Sequence, residues 1–214
     1  MDKFLQASQP YVILVKDLIT IASLIAASVI AGMGLYTWKK QLVGTTEYEL
    51  AKRILKATYR LRDTLENVRN PLIYAGEQNQ AMKEANLELD SNAPDNERKR
   101  SIAVYGLRWK GVVSNLQDLQ LEAIEAEAVW GTDVKKQILG IQHNVIELFS
   151  AIQMYHIYAF KPRRGEREIE VIEKFEKIIY TVPGEQVDEY SSKLLAEVNK
   201  IESLVKPYLK RNHR

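Results

Sequence analysis

Between Leu18 and Trp38 the chain reads LITIASLIAASVIAGMGLYTW, without one charged residue. As an α-helix rising ~1.5 Å per residue, this run measures ~30 Å, the thickness of a bilayer's hydrocarbon core. A helix satisfies its own backbone N–H and C=O groups, which lipid cannot do for it, so the run predicts one transmembrane helix. A cleaved signal peptide has a shorter apolar stretch and a small-residue cleavage site. Here the run ends in Trp38-Lys39-Lys40, an interfacial aromatic and a basic stop, which predict a retained anchor. The chain then divides into a short N-terminus (1–17), the span (18–38) and a helical domain (39–214).

Charge sets the orientation. Lys39, Lys40, Lys52, Arg53, Lys56, Arg60 and Arg62 follow the span, whereas Lys3 and Lys16 before it are offset by Asp2 and Asp17. The positive-inside rule therefore predicts a cytoplasmic C-terminal domain and an N-terminus outside. Within the span Thr20, Ser23, Ala27, Ala31 and Gly34 recur at three- and four-residue steps and share one face. Small residues allow helices to approach closely in lipid, and with one span per chain the natural partner is another copy, so homo-oligomers are expected.

Past the span the pattern is helical throughout, predicting an all-α fold: one transmembrane helix feeding an antiparallel bundle of about four long helices. Gly44 reads as a linker, with Thr46 and Glu49 in capping-box spacing opening a helix that Asn70-Pro71 stops. A short helix is expected near 77–87, and turn chemistry at Ser91 to Asp95. Residues 96–130 carry a 3-4 alternation through Ile102, Tyr105, Trp109, Val112, Leu116, Leu119, Ala123, Ala126 and Trp130, ended by Gly131. A second such helix is expected over 133–160, antiparallel to the first. Residues 166–180 suit a short helix, and a last one is expected over 186–209.

The catalytic signatures are missing. No phosphate-cradling glycine loop or serine elbow occurs, and the absence of cysteine removes thiol chemistry and cysteine zinc sites. His143 and His156 lack the Glu-x-x-His spacing of di-iron bundles, so both read as structural. No catalytic residue, metal or cofactor is expected. What remains is basic: Arg98, Lys99, Arg100, Arg108 and Lys110 near the start of one long helix, and Lys161, Arg163, Arg164 and Arg167 at the end of the next. In a hairpin these two ends meet, so the clusters could converge on an anionic ligand through charge-assisted bonds. The alternative is a solvated surface interleaved with Asp95, Glu97, Glu166 and Glu168.

The segments Thr37-Trp38-Lys39-Lys40-Gln41-Leu42, Thr46 to Arg53, Val68-Arg69-Asn70-Pro71, Asp188-Glu189-Tyr190-Ser191 and Lys206-Pro207-Tyr208-Leu209 resemble those of a widespread group of bacterial single-pass membrane proteins. The overall plan resembles the transmembrane effectors of antiphage systems encoded beside a nucleotidyltransferase, of the Hailong type. That resemblance implies a tetrameric channel in the bacterial inner membrane, controlled by an oligonucleotide. The small-residue face would then line or pack a pore, and the arginines and lysines would receive phosphates. The other reading is a membrane-anchored scaffold whose bundle binds a protein partner through an apolar helix face.

Overall fold

The computed structural model describes residues 2–87, 95–161, 165–181 and 188–210, with the side chains of 2–13 and 15 set aside. Among these the protein is all-α, without a strand. The helices are α1 (Asp2–Val68), α2 (Ala75–Glu84), α3 (Asn96–Trp130), α4 (Thr132–Ile138), α5 (Gln142–Tyr158), α6 (Glu166–Ile179) and α7 (Glu189–Lys210), with a 3₁₀ turn at Leu139–Ile141 joining α4 to α5. The chain divides into two compact units, 1–47 and 48–214.

The first unit is helix alone. Every described side chain from Lys16 to Val43 is exposed, and this is the one helix among the described residues long and apolar enough to cross a membrane. The hydroxyls of Thr20, Ser23 and Ser28 donate to the carbonyls of Lys16, Ile19 and Leu24 at 2.8, 2.7 and 2.8 Å. Those three hydroxyls therefore need no water.

The expected break at Gly44 is absent, because α1 runs through it to Val68. Thr45 and Thr46 turn their hydroxyls back onto the Gln41 and Leu42 carbonyls at 3.0 Å each, so Thr46 caps nothing. A lone helical glycine costs only about 1 kcal/mol against alanine, less than ending and restarting a helix.

In the second unit each helix turns one apolar stripe inward: Ile54, Leu61 and Leu65 of α1, Val112 and Leu119 of α3, Ile141 and Leu148 before and within α5, Leu194, Ile201 and Val205 of α7. Each such leucine, isoleucine or valine contributes about 1.5–3 kcal/mol by leaving water. Cross-contacts fix the directions. Arg53 of α1 bonds Glu122 of α3 at 2.9 Å, while Thr64 accepts from Asn115 at 2.6 Å, so α1 and α3 run antiparallel. Tyr105 meets His156 and Trp109 meets Phe149, which sets α3 against α5 in the same way. Tyr190 donates to the Asn144 carbonyl at 3.0 Å, and the α7 residue Glu197 lies beside Gly140. Tyr59 of α1 donates to Glu202 of α7 at 2.8 Å. Helices α2 and α6 add to this set, α2 against α3 and α6 against α5.

The expected continuous helix over 133–160 is broken in two. A Cβ on Gly140 would come within 2.7 Å of the Glu197 carboxylate, so α7 presses on the chain where it tightens into the 3₁₀ turn. Gln186 and Val187, where the last helix is expected to begin, lie outside the described residues, and from Glu189 onward the helix follows Asp188 as its cap. Its carboxylate accepts from the Ser191 N–H at 2.9 Å and the Ser191 hydroxyl at 3.0 Å. The turns expected at Ser91–Pro94 and at Val182-Pro183-Gly184 lie outside the described residues.

Candidate functional site

The basic residues expected to gather around an anion take separate roles. Arg108 is 7% exposed, and all five of its N–H groups are engaged. Nε and Nη2 grip the Glu77 carboxylate at 2.5 and 2.8 Å, while Nη1 and Nη2 donate to the Asn70, Val68 and Leu72 carbonyls at 2.6, 3.4 and 2.7 Å. Arg108 thus ties the end of α1 and the following loop to α2 and α3, and it has no donor left for a ligand. Its placement in an anion site is corrected accordingly. The reason is that a helix C-terminus leaves carbonyls without partners, and a buried guanidinium on α3 supplies them. The Arg108 hydrogen bond holds Glu77 below its usual carboxylate range against the opposing effect of burial.

Lys110 pairs with Glu84, and Lys161 pairs with Glu168 at 2.7 Å. Among the described residues Arg98 pairs with Asp95, at 3.9 Å. Lys99, Arg100 and Arg167 form no ion pair with any described residue, and Arg163 and Arg164 lie outside the described residues. The start of α3 and the end of α5 do share one end of the unit, as the Tyr105–His156 contact shows.

A second arginine was not anticipated. Arg69, just past α1, is fully buried. It donates to the Ile178, Lys177 and Tyr180 carbonyls at 2.6, 3.3 and 3.2 Å, to Ser191 at 2.7 Å and to Asp188 at 3.0 Å, and it lies over the Tyr190 ring. Its own carbonyl accepts from the Thr181 N–H at 3.1 Å. Burial alone would raise Asp188, but the Ser191 N–H and Arg69 outweigh it and hold the carboxyl below its usual range. The partners stand more than a hundred residues from Arg69 in sequence, so no local pattern announces the pair.

A groove of about 510 Å³ lies between α3 and α5. Ile102, Trp109 and Val113 line one wall and Phe149, Gln153 and Ile157 the other, with Arg98 and Lys110 at its edge. Behind it, His156 is buried. Its Nδ1 sits 2.8 Å from the Ile152 carbonyl, which only accepts, so Nδ1 carries the proton and Nε2 accepts from the Ser101 hydroxyl at 2.9 Å. Burial lowers the His156 pKa and keeps the ring neutral. Serine, histidine and carbonyl have the connectivity of an activated nucleophile. Ser101, however, lies inside α3, whose amides are spent on the helix rather than left free to receive an oxyanion. The arrangement satisfies a buried histidine.

Among the described residues no group of three or more metal-ligating side chains gathers. Two signals in the sequence pointed to the groove: α5 carries one charged residue in seventeen, Glu147, and a glycine, Gly106, stands within α3.

No protein-family model matches the chain, and no curated protein or solved structure is significantly similar to it.

Proposed function

We propose that this chain is a single-pass, homo-oligomeric effector of the bacterial inner membrane. Its span, Leu18–Trp38, crosses the bilayer with the N-terminus outside, and its cytoplasmic antiparallel helical bundle regulates conduction in response to an anionic, phosphate-bearing ligand. The observation that supports this most directly is the span itself. It is uncharged, every described side chain in it is exposed, and the hydroxyls of Thr20, Ser23 and Ser28 are bonded to the helix's own carbonyls. The face of Thr20, Ser23, Ala27, Ala31 and Gly34 then serves as a packing seam or narrow pore lining. The ligand surface narrows to Arg98, Lys99, Arg100 and Arg167, the described cations of the two clusters that pair with no described carboxylate closer than 3.9 Å. An oligonucleotide ligand, a tetramer and a role in antiphage defence rest on the resemblance alone.

Purified protein in planar bilayers tests this reading, with a short oligoadenylate as probe. Discrete conductance steps that change with the probe, and a Lys99→Glu/Arg100→Glu variant that keeps the steps but loses the response, are expected. Silence from folded, inserted protein refutes the pore. A second reading, a membrane-anchored scaffold for a protein partner, is favoured by the exposed apolar groove between α3 and α5.

A further inference from the structure

We propose that a separate groove, between α1 and the end of α7, binds a small organic phosphate that carries more than one negative charge. The inference goes beyond the reading above and does not rest on it, since none of the residues involved belongs to the two basic clusters or to the span.

The groove measures about 510 Å³, within the ~300–1,000 Å³ of small-ligand sites. Leu55 and Tyr59 of α1 and Leu209 of α7 give it apolar surface, and all three pack against the core. Tyr59 is fixed by its hydroxyl, which donates to Glu202 at 2.8 Å. Lys52, Lys56 and Arg60 line the groove together with Tyr48.

The cations set this groove apart. Tyr48, Lys52, Lys56 and Arg60 follow one another at four-residue steps, so they share one face of α1 with about 6 Å of rise between neighbours. Like charges at that spacing repel and weaken a helix. The arginines beside them on α1 are paired: Arg53 bonds Glu122 and Glu125, and Arg62 bonds Asp63 at 2.6 Å. Lys56 and Arg60 form no ion pair with any described residue, and Lys52 has Glu49 at 3.9 Å.

The acids close to the groove are already engaged. Asp63, which lines it, is held by Arg62, and Glu202 accepts from both Tyr59 and Lys206. The sequence after α7, Arg211-Asn212-His213-Arg214, contains no acid. Glu88, Asp90 and Glu185 fall in segments outside the described residues, and the residues flanking those segments stand at the other end of α1. There Leu87 packs beside Ala103 and Val104, while Thr181 and Asp188 bond Arg69.

One exposed cation is ordinary and needs no partner. Three in succession along a concave surface, with tyrosines among them and no free acid, match a ligand that brings several charges of its own. A carboxylate answers one cation. A phosphate group brings up to two charges and three acceptor oxygens, so two joined phosphates engage successive steps of the ladder through charge-assisted bonds. The organic part of the ligand then covers Tyr48, Leu55 and Leu209.

Lysine footprinting tests this on the full-length protein in phosphatidylcholine nanodiscs and magnesium-free buffer. Acetylation is mapped by mass spectrometry without addition, with ATP, and in nanodiscs containing cardiolipin, a lipid whose headgroup also holds two phosphates. Lys52 and Lys56 should react several-fold more slowly with one of these, relative to Lys174, an exposed lysine of α6. Protection by ATP identifies a soluble ligand and protection by cardiolipin alone a lipid, and either supports the site. Arg60→Gln, at an exposed residue whose side chain bonds no described residue, should return both lysines to background at unchanged Tm. Protection that survives Arg60→Gln, equal protection by citrate, or none by either phosphate overturns the proposal. Protection at Lys99 instead places the ligand at the start of α3, which overturns this site and leaves the reading above standing. A silent bilayer recording, conversely, refutes the pore without altering the footprint.

Discussion

Replacing Arg108 with methionine decides between a ligand-binding arginine and an internal one. The substitution keeps the apolar stem and removes a guanidinium whose five N–H groups hold Glu77 and three carbonyls. Removing one partner of a buried ion pair costs about 3–5 kcal/mol, chiefly because the other charge is left without compensation. Here the Glu77 side chain keeps 21% of its exposure, and Leu72 is largely in water. Solvent therefore takes over part of the lost bonding, and the low end of that range, about 3 kcal/mol, applies. For a domain of this size that corresponds to a fall of about 6–12 °C in Tm. The melt is followed in the full chain by near-UV circular dichroism of Trp130, which stacks on Tyr208 at 4.2 Å. Glu77→Gln placed on top should recover about 1 kcal/mol by removing the stranded charge. An unchanged Tm together with loss of response to an anionic probe would refute the internal role and return Arg108 to the ligand surface.

Gly131 adopts φ +95° and ψ 171° between α3 and α4, a region that only glycine occupies without strain, so Gly131→Ala should cost about 1–3 kcal/mol in a denaturant titration. Gly106→Ala, at a site with open space around it, should raise the stability of the isolated subunit by about 1 kcal/mol, measured in detergent that keeps copies apart. Folding depresses the His156 pKa by burial, so its contribution is complete above the unfolded value of about 6.5 and is lost as pH falls through the lower folded value. Tm should thus drop between pH 7 and pH 5, before the carboxylates titrate, and His156→Gln should flatten that drop.

The helices were legible in the sequence because their stripes are long and regular: Leu194, Val198, Ile201 and Val205 are all buried as the spacing requires. The misreadings occur where a local signal competes with its surroundings. Thr46 and Glu49 have the spacing of a capping box, but a capping box needs a preceding chain that leaves the helical conformation. Here the apolar span drives helix into this segment from one side and the buried Leu50, Ile54 and Leu61 from the other. The 3₁₀ turn at Leu139–Ile141 lies against Glu197, far along the chain, a contact that Gly140 alone does not announce.

The same distinction governs the site. A basic residue on a helix is one symbol in sequence, yet Arg108 and Arg69 are buried staples, Lys110 and Lys161 are partnered, and Lys99 and Arg100 remain to solvent. What separates them is angle on the helix together with which backbone ends lie opposite. Arg108 falls among buried Val104, Tyr105 and Val112, and an arginine at such a position requires acceptors nearby. The C-terminal carbonyls of α1 and the Glu77 carboxylate provide them. That reasoning was available from the heptad alone: a charged residue on the inward stripe is a structural partner before it is a ligand site. The complementary inference concerns apolar residues on the outward stripe, where Ile102, Val113, Ile146 and Ile157 have no internal reason to be apolar. Charge turned inward stitches this domain together, and apolar surface turned outward is the part of its pattern that packing among the described residues does not explain.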